Sequence, residues 1–268
     1  MSESILDSIV ADVRKRLQWT PEAPGLEQAA IRLVEQRKTR PRSLKRALAG
    51  PEPAIIAEVK KASPSAGVIR ETMDPVVLAQ AYAKGHAAAI SVVTEPDSFA
   101  GDPLWLIEVR KAVDLPVLRK DFIIERRQLF ESVLFGADAI LLITRILSRN
   151  RLEDLLSTAE MLELEVLLEI FADEDPGPAV DSGAAIIGVN ARDLATFEIR
   201  LDRVEAAAAK IPDDRIRVAE SGIKGPDDID RLHAAGYHAF LVGEHLVRAG
   251  NPEHEVRRLN GRLSRLGS

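Results

Sequence analysis

Four stretches of the chain repeat one arrangement of apolar and polar positions. They are residues 85–93, 136–143, 183–189 and 236–243, each opening with a glycine after a helix-like stretch and running on as a short apolar segment. A glycine there suits a helix C-cap, where a positive φ is needed. An apolar run without polar alternation suits a strand buried on both faces. Four more runs lie between these, at residues 54–60, 116–120, 166–170 and 216–219. Helical patterns separate all eight. Asp74-Pro75 starts one helix as N-cap and first helical residue, and Gly225-Pro226 precedes another. Pro176-Gly177-Pro178 should leave the fifth helix of the series short or irregular.

Eight strand–helix units with one core signal predict an α/β protein of the (β/α)8-barrel type, with an open parallel sheet as the structural competitor. The barrel should occupy residues 54–268. Residues 1–53 should form an N-terminal helical extension packed on it. The first 19 residues mix Ile5, Ile9, Val10 and Leu17 with Asp7, Asp12, Arg14, Lys15 and Arg16, which predicts an amphipathic helix and not the apolar core of a secretion signal. Residues 26–36 also read as helix, and 37–42 as a basic loop.

Composition narrows the function. With 36 Lys and Arg against 42 Asp and Glu, the formal net charge of −6 argues against general binding to nucleic acid or to anionic membranes. The chain has no cysteine, so disulfides, zinc–thiolate sites and a Cys nucleophile are excluded. No apolar run approaches the roughly 20 residues of a membrane span. The cytoplasm is the expected location. His86, His233, His238, His245 and His254 show no metal-ligand spacing, and no dinucleotide fingerprint is present. No metal and no cofactor are expected.

Charge is distributed unevenly among the strands. The even strands end in small or apolar residues. The odd ones carry Glu58 and Lys60, Lys120, Glu169, and Glu220 at or near their C-terminal ends, which in a barrel face the active-site mouth. Glu58 and Lys60, two apart, point to the same side of their strand. Charges inside apolar strands are costly unless paired or solvated. A structural ion-pair network explains any one of them, but four odd strands sharing the feature favour a polar active site. The loops after strands seven and eight contain Ser221-Gly222 and Gly243-Glu244, the places where barrels often bind phosphate through backbone N–H groups. Lys60 or Lys61 could supply countercharge. Residues 63–65 are either a plain turn or the start of a substrate loop.

These segments resemble a known family. IAEVKKASPS at residues 56–65 is similar to the first-strand signature of indole-3-glycerol-phosphate synthases, and LPVLRKDFI at 115–123 to their third-strand motif. GADAILLI at 136–143, GVNARDL at 188–194, VAESGI at 218–223 and LVGE at 241–244 continue the resemblance in order, from about residue 54 to residue 248. The family closes the indole ring of 1-(2-carboxyphenylamino)-1-deoxyribulose 5-phosphate, with release of carbon dioxide and water. The resemblance implies Lys120 as the general acid of ring closure and Glu169 as the acid or base of dehydration. It implies Lys60 as holder of the substrate carboxylate and Glu58 as organiser of the lysines and substrate hydroxyls. Asn190, Arg192 and Glu220 would contact hydroxyls and the anthranilate portion. Phe99, Phe122, Leu141 and Leu194 would line the aromatic pocket, with core packing equally open for Leu141. Ser63, Ser221, Gly222, Gly243 and Glu244 would cradle the phosphate.

The sequence departs from the family at Phe171-Ala172, where a polar pair is usual, with either a neutral loop change or an altered Glu169 loop as the consequence. It departs again at the interrupted fifth helix, and at His245, which stands where a small residue is usual and is either peripheral or in touch with the phosphate region. Two competing readings fare worse. A phosphoribosylanthranilate isomerase would be expected to use a Cys–Asp pair, and there is no Cys. An inactive scaffold would be expected to lack one of Lys60, Lys120 or Glu169, and all are present. The expected partner is a phosphorylated small molecule.

Overall fold

The computed structural model describes residues 4–193 and 198–261. The eight apolar runs are parallel strands: β1 (Ala54–Val59), β2 (Ala89–Val93), β3 (Val117–Lys120), β4 (Ala139–Ile143), β5 (Glu165–Phe171), β6 (Ile186–Asn190), β7 (Ile216–Glu220) and β8 (Ala239–Val242). Each pairs with the next. β8 returns to β1, with Ala54 beside Ala239 and Ala57 beside Val242, so the sheet is a closed barrel and not an open one. Closure leaves no edge strand with unpaired backbone groups. Asp74 caps its helix by accepting from the N–H groups of Val76 and Val77, at 2.9 and 3.0 Å. The interrupted fifth helix is five residues long, Gly177–Asp181. Among the described residues, no helix is long and apolar enough to cross a membrane, and no group of three or more His, Asp or Glu side chains could hold a metal ion.

Alternation along each strand sorts the interior into layers, four residues at a time from alternate strands. Ile56, Leu118, Leu167 and Val218 of the odd strands are fully buried in one cluster inside the barrel. Two residues further along the same strands stand Glu58, Lys120, Glu169 and Glu220. Outward-facing residues such as Ile55, Ala57, Ile90, Ile140 and Ile187 join the larger core under the helices. One part of the sequence reading needs correction. β6 runs one residue beyond the expected apolar segment and ends in polar Asn190, so the even strands do not all end in small or apolar residues.

Three helices precede the barrel: α1 (Ile5–Trp19), α2 (Leu26–Glu35) and α3 (Leu44–Leu48). Ile9 and Val13 of α1 pack with Ile124, Phe99 and Phe122 beyond the C-terminal ends of the strands. α2 lies against the helix Arg126–Leu134. α3 has no counterpart in the sequence reading. Its Leu44 and Leu48 are completely buried beside Ala54, Ala139, Ile216 and Ala239, at the strand beginnings. The Ser43 hydroxyl donates to Glu165 Oε1 at 2.7 Å, and the Lys45 N–H to Oε2 at 2.7 Å. α3 therefore plugs the N-terminal mouth while α1 covers part of the C-terminal one.

The repeated glycines also need one correction. Gly136, Gly183 and Gly236 have φ of 83°, 80° and 102°, as C-capping predicts. Gly85 has φ −71°, and the left-handed residue there is His86, φ 66°. Gly85 is needed for close approach. A Cβ on it would lie 2.7 Å from the Glu253 carbonyl oxygen and 2.8 Å from Val256 Cβ, in the helix Pro252–Leu259. Backbone cannot yield as a side chain does, so Gly85→Ala is expected to cost about 1–3 kcal/mol, as overpacking does. Thermal unfolding should show a Tm several degrees below the parent's. An unchanged Tm would mean that the two helices separate freely.

Candidate active site

A cavity of about 380 Å3 opens at the C-terminal ends of the strands. Its floor is the charged layer from β1, β3, β5 and β7. Lys120 Nζ stands between two carboxylates, 3.1 Å from Glu169 Oε2 and 3.0 Å from Glu220 Oε2. Lys60 Nζ lies 2.6 Å from Glu58 Oε1, as same-side placement requires. Asn190 donates from Nδ2 to Glu169 Oε1 at 3.2 Å and accepts the Arg192 N–H at 3.0 Å. Every proposed site residue among those described lines the cavity. Leu194 lies outside the described residues.

The strand ends are held from behind. The Tyr82 hydroxyl donates to the Glu58 carbonyl oxygen at 3.2 Å, and the Thr144 hydroxyl to that of Glu169 at 3.2 Å. Arg119 points away from the cavity, donating to the Gln128 carbonyl at 2.9 Å and pairing with Asp121 at 2.9 Å. Asp121 in turn accepts the Phe122 N–H at 2.8 Å. The residues on either side of Arg119 and Asp121 are thereby fixed, and these include Lys120 and Phe122.

Charge and burial oppose each other here. Burial disfavours the Lys120 ammonium, but Glu169, Glu220 and Glu58 outweigh it and hold its pKa far above the ordinary lysine value. Burial pushes the Glu220 carboxyl up, Lys120 pulls it down and Glu169 raises it again, leaving it well above the usual carboxylate range. Opposed environments of this kind are common both in buried ion-pair networks and where groups exchange protons.

Two ends of the cavity differ in chemistry. On one side Phe99 and Phe122 meet with ring centroids 6.0 Å apart and planes tilted by 40°. Leu141 is buried in the barrel interior, as core packing requires, and also borders the cavity. On the other side the chain turns sharply after β7 through two left-handed residues, Ser221 (φ 68°) and Gly222 (φ 79°), and the helix Glu244–Arg248 starts at Gly243. Turns and helix starts present backbone N–H groups suited to an anion. The Glu244 side chain pairs with Arg248 at 3.0 Å, which leaves its backbone as the cradle element. Ser63 lies in a hairpin of Ala62–Ser63 with Gly67–Val68, and its hydroxyl accepts the Ala66 N–H at 3.2 Å. Residues 63–65 are thus a turn that also lines the cavity.

The departures from the family pattern have local explanations. Phe171 is buried, with the Arg145 guanidinium 4.3 Å from its ring centre. Its N–H donates to Glu174 Oε2 at 2.8 Å, and Glu174 also binds Arg145. The Glu169 carboxylate still reaches Lys120 and Asn190. His245 lines the cavity, while its Nε2 is 2.5 Å from Glu255 Oε1.

Several lining residues escaped the sequence reading. Glu95 is buried and caps the short helix Pro96–Phe99 through the N–H groups of Asp97, Ser98 and Phe99. It also binds Arg16 of α1, at 3.3 Å. Glu95-Pro96 following a strand carries a helix-start signal. Ile5 and Ile9 of α1 and the cations Lys224 and Arg248 also line the cavity.

A family model for indole-3-glycerol phosphate synthase matches residues 6–259. An indole-3-glycerol phosphate synthase of Aliarcobacter butzleri (strain RM4018) is 41% identical over 263 residues, covering 97% of this chain and 100% of the relative. One of Carboxydothermus hydrogenoformans is 45% identical over 240 residues, covering 87% and 88%. A solved 3-hexulose-6-phosphate synthase superimposes with a TM-score of 0.64 at 16% identity, over 78% of this chain and 99% of its own, which bears on the fold alone. The chain belongs to the indole-3-glycerol phosphate synthase family.

Proposed function

We propose that this barrel carries out its family's ring closure with Lys120 as general acid, Glu169 as the proton acceptor of dehydration, and the two ends of the cavity as anchors for the substrate. The observation that carries this reading is the single ammonium of Lys120 held between two buried carboxylates on the floor of a cavity that is aromatic at one end. The substrate's aromatic ring would lie against Phe99, Phe122 and Leu141, with Leu194 a further proposed contact. Lys60 would bind its carboxylate, turning from or sharing Glu58. Asn190, Arg192 and Glu220 would meet hydroxyls. Ser63, Ser221, Gly222, Gly243 and Glu244 would hold the phosphate. Fixing both ends brings the ring carbon and the ketone carbon together, which supplies part of the rate enhancement. As the new carbon–carbon bond forms, the carbonyl electron pair moves to oxygen, which takes the Lys120 proton. Loss of carbon dioxide returns a bonding pair to the ring. Loss of the hydroxyl as water then needs a proton given to oxygen and one taken from the ring. Residues 1–53 belong to the same catalytic unit, a division supported by α1 and α3 at opposite mouths of the barrel.

Purified protein supplied with 1-(2-carboxyphenylamino)-1-deoxyribulose 5-phosphate should develop indole fluorescence and release carbon dioxide in equal amounts. Binding of the substrate without either product would overturn the reading in favour of a phosphate-binding scaffold.

A further inference from the structure

We propose that Glu169 and Glu220 hold one proton between them and use it to recharge Lys120 once ring closure has discharged it. The proposal rests on Lys120 being the acid of ring closure, and goes beyond that reading in giving Glu220 a part in proton transfer.

Charge balance is the first observation. On the floor of the cavity Glu58, Glu169 and Glu220 face Lys60 and Lys120. Lys60 is engaged by Glu58 at 2.6 Å, so Glu169 and Glu220 are left to share Lys120. The neutral Asn190 from β6 serves Glu169, and Arg192 lines the cavity further out. The two carboxyls are 3% and 1% exposed, too buried for water to stabilise two full charges. Where two carboxylates share one site, one is kept protonated.

The second observation is an orphan atom. Glu220 Oε1 is buried and has no hydrogen-bond partner among the described residues. It lies over Gly188, where no side chain intervenes. A buried, unpaired carboxylate oxygen is expensive, and a proton on the pair removes most of that cost. The upward displacement of Glu220, driven by burial and reinforced by the neighbouring Glu169 carboxylate, agrees with this.

The proton count then closes. Ring closure moves the Lys120 proton to the ketone oxygen. The shared proton passes to the neutral amine, leaving two carboxylates around a renewed ammonium. Release of carbon dioxide consumes no proton. In dehydration Lys120 protonates the departing hydroxyl and Glu169 accepts the proton from the ring carbon, which restores the singly protonated pair. One proton from solvent recharges Lys120, matching the one consumed when a carboxylate leaves as carbon dioxide and a hydroxyl leaves as water.

Infrared difference spectroscopy of the protein without substrate, titrated from neutral to alkaline pH, tests this. The parent should lose the carbonyl band of a buried carboxylic acid and gain a carboxylate band. Both Glu220→Gln and Glu169→Gln should lack that change, because the remaining carboxylate then has Lys120 to itself. Asp138, also raised by burial, contributes equally to all three and cancels. In single turnovers Glu220→Gln should delay indole formation behind carbon dioxide release by about 10²-fold, the scale of one lost proton transfer. A parent with no such band, or a band that persists in both variants, overturns the shared proton. If the band is present but no indole forms from substrate, the functional reading fails and the shared proton stands. If indole forms and the band is absent, only the present inference falls.

Discussion

Lys120→Met is expected to abolish turnover while leaving substrate affinity within a few-fold of the parent. Methionine keeps much of the apolar stem and removes the proton donor, which alone removes about 10²–10⁴-fold in rate. The proposed anchors are other groups lining the cavity: Lys60, just past the end of β1, for the carboxylate, and the turns at Ser221-Gly222 and Gly243 for the phosphate. Substrate should therefore bind and remain unreacted, as equilibrium titration would record. The variant also strips the cation that Glu169 and Glu220 share. Breaking a buried pair costs about 3–5 kcal/mol when a charge is left behind. Here the carboxyls can take up protons instead, so their folded-state pKa values rise. A raised folded-state pKa stabilises below the unfolded value and loses that contribution as pH rises. The variant should accordingly melt closest to the parent in acid and fall away from it towards alkaline pH. Turnover within a few-fold of the parent would move the acid role to another group, with Lys60 the first candidate.

Glu169→Gln is expected to separate the two halves of the reaction. Glutamine fills the same space but cannot take the ring proton. Its single carbonyl oxygen can accept from Lys120 or from Asn190, whereas the carboxylate accepts from both, at 3.1 and 3.2 Å. Lys120 still has Glu220 beside it, so ring closure and carbon dioxide release should proceed close to the parent rate. Indole formation should slow by about 10²–10⁴-fold. Rapid-quench single turnovers that count carbon dioxide and indole separately give the ratio. Equal slowing of both products would show that Glu169 also serves ring closure, and the proposed division between the two residues would fail.

The barrel was legible because its evidence is repeated. Apolar runs buried on both faces occur eight times, and a misplaced boundary in one, such as β5 starting at Glu165 and not Val166, leaves the count intact. Glu58, Lys120, Glu169 and Glu220 were legible because a charge at the end of an apolar strand breaks a pattern. What the sequence concealed depends on contacts between distant segments. α3 reads as a polar stretch with two leucines until Leu44 and Leu48 are seen at the mouth of the barrel. Gly85 reads as a C-cap because that is the commonest local reason for glycine after a helix, whereas its actual constraint comes from a helix well over a hundred residues away. Glu95 was passed over because nothing local distinguishes a buried capping carboxylate from an exposed one. The proposed phosphate end was half legible. Its two glycine-containing turns could be read from the sequence, but not the crowding at Gly243, where a Cβ would overlap the Glu58 carboxylate and lie 3.0 Å from Lys60 Nζ. A bulky residue at Gly243 would disturb the Glu58–Lys60 pair as well as the proposed anion cradle, and would not isolate binding from chemistry.

The same geometry recurs across the barrel. Glu220 lies over Gly188 of the neighbouring β6, as Glu58 lies over Gly243 at the end of the neighbouring β8. Every missense change in a glycine codon introduces at least a Cβ, so no single-base amino-acid replacement at Gly188 or Gly243 is sterically silent. For each of these two acids there is therefore a second genetic locus, chemically inert in itself, at which the same charge can be displaced. Inherited loss of function in this protein should have a mutational target wider than its ionisable residues, and a survey that scores only acids, bases and hydrogen-bonding side chains would undercount it.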